Sequence, residues 1–172
     1  MKILSKQKNS RMCMICGLDN EYGVNAPFYN MEDGSVMTVF RYKEQHQSYP
    51  GRVHGGMITA MLDEMGLRSL WAKELSEETF GVTISLDTKY CKPVPYETEL
   101  IGRGVVVKNT SHFIITDSYI MDKDGEILAN GRIKYIKMDT QKIQEGVEVH
   151  EEMPYLVEDG RTEIEGPFFD NL

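Results

Sequence analysis

The chain has few cysteines and no long apolar run, and each absence excludes a class of protein. Three cysteines in 172 residues are an odd number and too few for a disulfide framework, so we expect reduced thiols. No stretch reaches the length of a membrane span, and no apolar run of signal-peptide length follows the basic first residues. We therefore expect a soluble, cytoplasmic protein without a membrane partner.

An excess of positive charge is also lacking. The formal net charge is −8, and it lies in the tail: residues 141–172 hold nine acids and two bases, whereas residues 1–140 hold 18 acids and 17 bases. A near-neutral body with an acidic tail repels phosphate backbones, so nucleic acid is not an expected partner. With 41% apolar residues, the length suits one domain with tails. We expect a flexible N-terminus over 1–12, a domain over 13–140 and an acidic extension over 141–172.

The most apolar segment, residues 54–71, predicts a buried helix because its apolar side chains cover nearly the whole circumference. Two strand-like runs precede it, 23–31 and 35–43, joined by an Asp-Gly turn, and residues 45–52 read as a loop. Four more strand-like runs follow, at 80–91, 98–108, 112–121 and 127–138, the last three separated by short turns. This order predicts an α+β fold in which a curved antiparallel sheet of about six strands wraps around one long central helix.

Two features of this helix could carry chemistry. Gly55 and Gly56 at its start could leave backbone N–H groups free to donate to an oxyanion, or they could merely permit a tight entry turn. Asp63 and Glu64 lie in the apolar run, where an ionised side chain is costly unless it is paired or useful, so they form a buried ion pair, a locally exposed polar notch or a working acid. Asp63 lies eight residues after Gly55, roughly 12 Å along the axis. If both take part, Gly55 of one subunit must meet Asp63 of another across a dimer interface.

Other candidates are weaker. Cys13 and Cys16 have the spacing of metal ligands, but no second half-site is evident, so we predict no metal. A methionine stripe on the helix is either core packing or a soft wall for an apolar ligand; it consists of Met57, Met61 and Met65. The remaining histidines are expected at the surface or in loops; they are His46, His112 and His150.

Several motifs together resemble a known family. They are Pro50-Gly51-Arg52-Val53-His54-Gly55-Gly56, Leu62-Asp63-Glu64, Gly81-Val82-Thr83 and Leu86-Asp87-Thr88-Lys89-Tyr90. This pattern resembles the hotdog-fold acyl-CoA thioesterases of the phenylacetyl-CoA and hydroxybenzoyl-CoA type, and Cys13-x-x-Cys16-Gly17 is similar to the opening of many members. The resemblance covers about residues 13–138.

The resemblance implies a homodimer, or a tetramer, whose subunits join their sheets edge to edge and hydrolyse acyl-CoA. It implies that the Gly55 N–H donates to the oxyanion, that Asp63 of the partner subunit acts as nucleophile or general base, that Thr83 orients water and that His54 shapes the loop. No cofactor is implied, since coenzyme A is part of the substrate. The candidates for substrate contact are Gly56, Ser48, which replaces an asparagine of some relatives, and the bases Lys89, Lys92 and Arg103.

Two other functions remain open. Acyl-CoA hydration or dehydration occurs on the same fold, but relatives with that activity usually carry an Asp-x-Asn-Pro-x-His signature, which is absent around His54. The alternative is a dimer that binds acyl-CoA or acyl carrier without catalysis. Because a binder needs no acid, replacing Asp63 by Asn would separate an enzyme from a binder.

Overall fold

The computed structural model describes residues 1–74, 79–138 and 152–166. Within these ranges the chain forms one long helix, α1 (Gly55–Glu74), and a short 3₁₀ helix, Glu44–His46. None of the helices described is long and apolar enough to cross a membrane. The strands are β1 (Ile3–Lys6), β2 (Tyr29–Met31), β3 (Val36–Phe40), β4 (Gln47–Tyr49), β5 (Arg52–Val53), β6 (Phe80–Tyr90), β7 (Leu100–Asn109), β8 (Phe113–Met121) and β9 (Ile127–Met138).

A single antiparallel sheet holds the helix. Its strand order is β1-β2-β3-β7-β8-β9-β6, while β4 and β5 form a separate small hairpin within the expected loop. Helix α1 contacts six strands of the sheet: β2, β3, β6, β7, β8 and β9. The predicted α+β architecture, one sheet wrapped around one helix, is therefore confirmed. The predicted Asp-Gly hairpin is also present, because β2 pairs with β3 across the turn at Asp33 and Gly34.

The sheet has seven strands in the described ranges because the N-terminus joins it. Ile3 pairs with Met31 and Lys6 with Tyr29, which extends the sheet beyond β2. Beyond this strand, the Gln7 side chain is buried and its amide donates to Asn30 Oδ1 at 2.7 Å. The prediction of a flexible segment over 1–12 was therefore wrong. These residues are polar, but their backbone groups are satisfied by pairing with a distant strand.

Part of the acidic extension packs onto that same N-terminal region. Tyr155 forms an isolated bridge with Asn9, and Glu163 forms one with Lys2. Met153 and Ile164 are buried, so residues 152–166 contribute apolar surface to the folded body. The proposed boundary at 140 thus does not mark the end of packed structure, while the rest of the extension, 141–151 and 167–172, lies outside the described residues.

The core forms where α1 meets the sheet. Met61, Leu62 and Met65 are fully buried, which confirms core packing for two of the three methionines of the stripe. The first turns are less enclosed than predicted: between residues 55 and 60 only Ile58 is buried. These turns lie beside Tyr90 at the end of β6, the last strand of the sheet, where no further strand covers them.

Two glycines of β7 allow the helix to approach the sheet closely. A Cβ atom at Gly104 would lie 2.6 Å from the Met65 carbonyl oxygen, and one at Gly102 would lie 2.3 Å from the Met65 sulfur. Both distances are well inside van der Waals contact, so side chains at these positions would separate helix and strand. The sheet therefore approaches α1 closely at Met65, two residues beyond Asp63.

Among the residues that the structure describes, β6 is the last strand of the sheet, and its outer edge has no partner strand. It pairs with β9 over its whole length, with an irregularity between Thr83 and Ser85. Several of its side chains are exposed although they are apolar, including Val82 at 42% and Ile84 at 53%. A long, apolar, unpaired edge is a template for pairing with another chain.

Candidate active site

The start of α1 presents one unused backbone donor. The His54 Nδ1 atom accepts a hydrogen bond from the Gly56 N–H at 2.9 Å, so the histidine caps its own helix. Within the part of the chain that the structure describes, the Gly55 N–H has no acceptor. Of the two glycine N–H groups considered from the sequence, only that of Gly55 is available to an incoming carbonyl oxygen.

A pocket of about 460 Å³ opens at this helix start. The β4–β5 hairpin and the segment after β6 form its walls, and Ser48, Arg52 and Lys92 are among its lining residues. The Tyr90 hydroxyl lies above Gly55, donates to the Gly55 carbonyl at 3.2 Å and shares a 2.7 Å hydrogen bond with the Thr59 hydroxyl. The pocket thus combines an open helix N-terminus, which favours negative charge, with basic side chains at its rim.

Two turns further along the helix, Asp63 is fixed by neighbours on β6 and β9. The Thr83 hydroxyl lies 2.9 Å from Asp63 Oδ1 and 3.1 Å from Oδ2, and donates to this carboxylate. The Tyr135 hydroxyl donates to the Asp63 carbonyl at 2.7 Å. Burial raises the pKa of Asp63, as does the nearby charge of Glu64, while hydrogen bonds from Thr83 and Tyr135 act against this rise. The result is a half-buried carboxylate in a fixed orientation.

Glu64 has a different environment from its neighbour. Its Oε1 atom accepts a hydrogen bond from Arg68 Nε at 2.7 Å, and the Arg68 side chain is only 1% exposed. The carboxylate pair predicted from the sequence therefore divides into two roles, a buried ion pair for Glu64 and an open carboxylate for Asp63.

A backbone irregularity in β6 allows side chains of this one strand to contact α1 both at Gly55 and at Asp63. Thr83 and Tyr90 are seven residues apart, so a regular strand would direct them to opposite faces of the sheet. Pairing with β9 shifts register between Thr83 and Ser85, and both side chains consequently reach α1. Asp63 and Gly55 nevertheless remain roughly 12 Å apart along their helix, so neither end alone is a complete site.

Comparison with known proteins finds similarity to one family. The family model described as the thioesterase superfamily matches residues 50–129, which include the helix start, Asp63 and Thr83. The chain has the hotdog fold, and this matched stretch is similar to the thioesterase superfamily. Among curated relatives of this superfamily, acyl-coenzyme A thioesterase 13 of Homo sapiens is 23% identical over 100 residues, a match that covers 58% of this chain and 70% of the relative.

Solved structures of superfamily members share the fold. The crystal structure of one thioesterase superfamily protein has a TM-score of 0.65 and 26% identity, and the match covers 73% of this chain and 63% of that one, just under two thirds. A thioesterase protein from Streptococcus pneumoniae TIGR4, whose structure contains coenzyme A, has a TM-score of 0.59 and 19% identity, covering 67% of this chain and 90% of the other.

The structure separates the three bases that the sequence suggested for substrate contact. Lys92 lines the Gly55 pocket, where it forms an ion pair with Glu126. Lys89 lines another cavity, of about 310 Å³, together with Asp87, Asp117 and Arg132. Arg103 is buried and forms a 2.7 Å ion pair with Asp33 in the β2–β3 turn, so its interpretation as a base free to meet a ligand was wrong.

Three side chains have roles that the sequence reading missed. Tyr90 contacts Gly55, and Tyr135 contacts Asp63. Which face of the sheet each side chain occupies depends on the β6 irregularity and on the strand order, and neither can be recognised from a short stretch of sequence. His46 is buried, with its Nδ1 accepting from the Lys43 N–H at 3.0 Å, and its backbone carbonyl accepts from the His54 N–H at 2.8 Å. His46 thus lies in the expected loop region but is buried, because the loop folds back onto the helix start; His112 is exposed, and His150 lies outside the described residues.

Proposed function

We propose that this protein hydrolyses acyl-CoA thioesters at a site shared between two subunits. One observation carries the proposal: a single helix bears an unused N–H at Gly55 and, eight residues later, a carboxylate held by the Thr83 hydroxyl. Each is half of an acyl-transfer site. The named relative acyl-coenzyme A thioesterase 13 and the coenzyme A in the S. pneumoniae structure support this choice of substrate.

The unpaired edge of β6 supplies a way to bring the two halves together. Thr83 lies beside Asp63, and Tyr90 lies beside Gly55. A two-fold axis midway between them, near Leu86 and Asp87, would pair β6 with its own copy in antiparallel fashion. Thr83 would then lie opposite Tyr90 of the partner subunit, and Asp63 would face Gly55 of the partner subunit. The exposed apolar side chains of β6 would become buried in the same step.

The chemistry needs only these groups. The Gly55 N–H, at the positive end of the helix dipole, donates to the thioester carbonyl oxygen and stabilises the negative charge that develops there. The Asp63 carboxylate of the partner subunit either attacks the carbonyl carbon or removes a proton from an attacking water. The C–S bond then breaks, and coenzyme A leaves as a thiolate that takes up a proton. Attack by water gives the free acid in this step, whereas attack by Asp63 leaves a mixed anhydride on the carboxylate, which a water molecule then hydrolyses to the free acid and Asp63. The Thr83 hydroxyl fixes the carboxylate by donating to it in either case.

The pocket at Gly55 suits the coenzyme A portion better than the surroundings of Lys89 or Arg103 do. Lys92 and Arg52 line it and carry the charge that phosphate groups require, whereas Lys89 and Arg103 are in other surroundings. Ser48, which the sequence made a candidate for substrate contact, lines the same pocket. The pocket volume of about 460 Å³ is in the range of small-molecule sites.

Thiol release from a panel of short, medium, long-chain and aryl acyl-CoAs tests the activity. Asp63→Asn should reduce turnover by about 100-fold or more while acyl-CoA affinity persists, because general bases contribute about that much. Asp124→Asn, in the exposed β8–β9 turn, is the matched control and should keep full activity. Undiminished turnover in Asp63→Asn would remove Asp63 from the mechanism, and binding without turnover in the native protein would identify a binder.

Subunit mixing tests the shared site. Gly55→Pro removes the N–H at the first helical position, where proline is well tolerated, so the helix should persist while activity is lost. Unfolding and refolding Asp63→Asn together with Gly55→Pro should restore about a quarter of the native activity, because half of the dimers are mixed and each has one intact site. No recovery in mixed dimers, which affinity tags identify, would place both groups in one subunit.

A further inference from the structure

A second cluster of reactive side chains lies where the N-terminal segment crosses α1. Residues 13–17 form a tight turn in which the Ile15 and Cys16 N–H groups point at Cys13 Sγ, at 3.3 and 3.4 Å. The Gly17 N–H donates to the Cys13 carbonyl at 2.9 Å, and a Cβ at Gly17 would lie 2.4 Å from that oxygen. The turn therefore requires glycine at this position, and its N–H groups are arranged to stabilise negative charge on sulfur.

The turn is fixed in place before any ligand binds. The buried Asn9 side chain donates to the Cys16 carbonyl at 2.7 Å and to the Ala26 carbonyl at 2.9 Å. Cys16 is 2% exposed, whereas Cys13 is half-buried and reachable from solvent.

Glu64 supplies a third donor from the central helix. Its Oε2 atom lies 4.0 Å from Cys13 Sγ, and ligand atoms of Cys13, Cys16 and Glu64 all lie within 4.8 Å of one another. Arg68 holds the other carboxylate oxygen, Oε1, at 2.7 Å, which leaves Oε2 directed to the sulfur atoms. A carboxylate that is oriented by a hydrogen bond on its second oxygen is the usual arrangement around protein-bound metals.

Zinc matches both the donor set and its dimensions. Two sulfurs and one carboxylate oxygen are zinc ligands, and tetrahedral zinc would place a sulfur and an oxygen about 3.6 Å apart, so the observed 4.0 Å needs only a small closure. Charge also balances, because two thiolates and Glu64 offset one zinc ion and the Arg68 guanidinium.

We propose that Cys13, Cys16 and Glu64 bind one zinc ion, with a fourth position left to solvent. The ion would join residues 13–17 to α1 at the residue next to Asp63 and so fasten the N-terminal segment across the central helix. The proposal is independent of the thioesterase assignment, because neither the Gly55 pocket nor the Thr83 contact takes part in it. Among the described residues, no other group of three potential ligands comes this close together.

Cobalt serves as the spectroscopic probe. The full-length protein, reduced and freed of metal with a chelator, is titrated with Co²⁺ and then with Zn²⁺. We expect one equivalent of Co²⁺ to give a thiolate-to-cobalt charge-transfer band, and Zn²⁺ to abolish it. Cys13→Ser and Cys16→Ser should lose the band, Glu64→Gln should keep it with at least about tenfold weaker affinity, and Cys91→Ser, at an exposed thiol elsewhere, should match the native protein.

Alkylation of the native protein gives a second measurement that needs no variant. Zn²⁺ should protect Cys13 and Cys16 from iodoacetamide while the exposed Cys91 stays reactive, as read by mass spectrometry. Absence of the band in reduced protein, a band that persists in both cysteine variants, or equal alkylation with and without Zn²⁺ would each overturn the proposal. A Cys13–Cys16 disulfide that shows no metal uptake after reduction would overturn it as well.

Discussion

Substitution of Gly104 by Ala tests how tightly the sheet holds the helix behind Asp63. The added Cβ would lie 2.6 Å from the Met65 carbonyl oxygen, a backbone atom that cannot rotate away. Ordinary contact begins at 3.4 Å, so helix and strand must move apart by about 0.8 Å. Overpacking of this kind costs about 1–3 kcal/mol, and the lower entropy of the unfolded alanine chain offsets less than about 1 kcal/mol of it.

Alanine substitutions at two other glycines, Gly102 and Gly131, provide the comparison for the loss of stability. At Gly102 the same Cβ would meet the Met65 sulfur at 2.3 Å and the Thr38 methyl at 2.6 Å, both side-chain atoms, and the methionine can adopt another rotamer. At Gly131 on β9 the nearest atom would be 3.3 Å away. We therefore expect stability to fall in the order native protein or Gly131→Ala, Gly102→Ala, Gly104→Ala, with the last losing about 2 kcal/mol, or roughly 4–8 °C in Tm.

Urea unfolding followed by tryptophan fluorescence measures this order. Trp71 is the single tryptophan of the chain, lies on α1 and is 3% exposed, so its emission reports release of the helix from the sheet. The urea concentration at the unfolding midpoint should fall, while the m-value, the slope of unfolding free energy against urea concentration, should stay unchanged if only the folded state is strained. Equal stability of Gly104→Ala and Gly131→Ala would refute the close approach of Met65 to β7.

Two further predictions concern charged groups. Arg68→Met should cost about 3–5 kcal/mol in metal-free protein, because it leaves Glu64 without its buried partner, and adding Glu64→Gln should recover part of this loss in urea unfolding; equal stability of the single and double variants would contradict the pairing. Burial acts to raise the pKa of Asp159, but hydrogen bonds from Lys6 and Tyr29 outweigh it and hold this pKa at about 2, below its ordinary 3.8. Because the folded-state pKa is the lower one, the stabilisation is complete above the ordinary value and is lost as pH falls from about 4 towards 2. Unfolding curves of Asp159→Asn should accordingly depend less on pH in this window, and an unchanged dependence would contradict the assignment.

The sequence predicted the elements whose signals are local. Apolar periodicity located α1, and short turn sequences separated β7, β8 and β9, because both signals depend on neighbours a few residues apart. Strand β1 was missed because it is only four residues long, and its pairing with β2 involves residues more than 20 positions away. For the same reason Arg103 was read as a free base: its partner, Asp33, is 70 residues away and meets it only once β3 pairs with β7.

The residues of the candidate site likewise divide into those with a local sequence signal and those whose contacts depend on the fold. Gly55, Asp63 and Thr83 are visible as sequence motifs, but the contact between Thr83 and Asp63 comes only from the fold. The role of Glu64 was ambiguous from the sequence because only one of its two partners is local. Arg68 lies one helical turn away, whereas Cys13 lies 51 residues earlier in the chain. Cys13 and Cys16 have the spacing of metal ligands, but the sequence shows no second half-site for them. The fold brings a third donor, Glu64, to them from the middle of the helix.

The irregularity in β6 connects these observations. Before it, Gly81 and Thr83 face the helix, and a Cβ at Gly81 would lie 2.9 Å from the Tyr135 Cβ. After it, Leu86 packs against the buried cluster that contains Leu70, and Tyr90 reaches Gly55. A regular strand could satisfy one of these pairs but not both, since facing alternates with every residue. The extra residue therefore lets one edge strand support the carboxylate at one end of α1 and the helix start at the other, which is what a site built from two copies of the same strand requires.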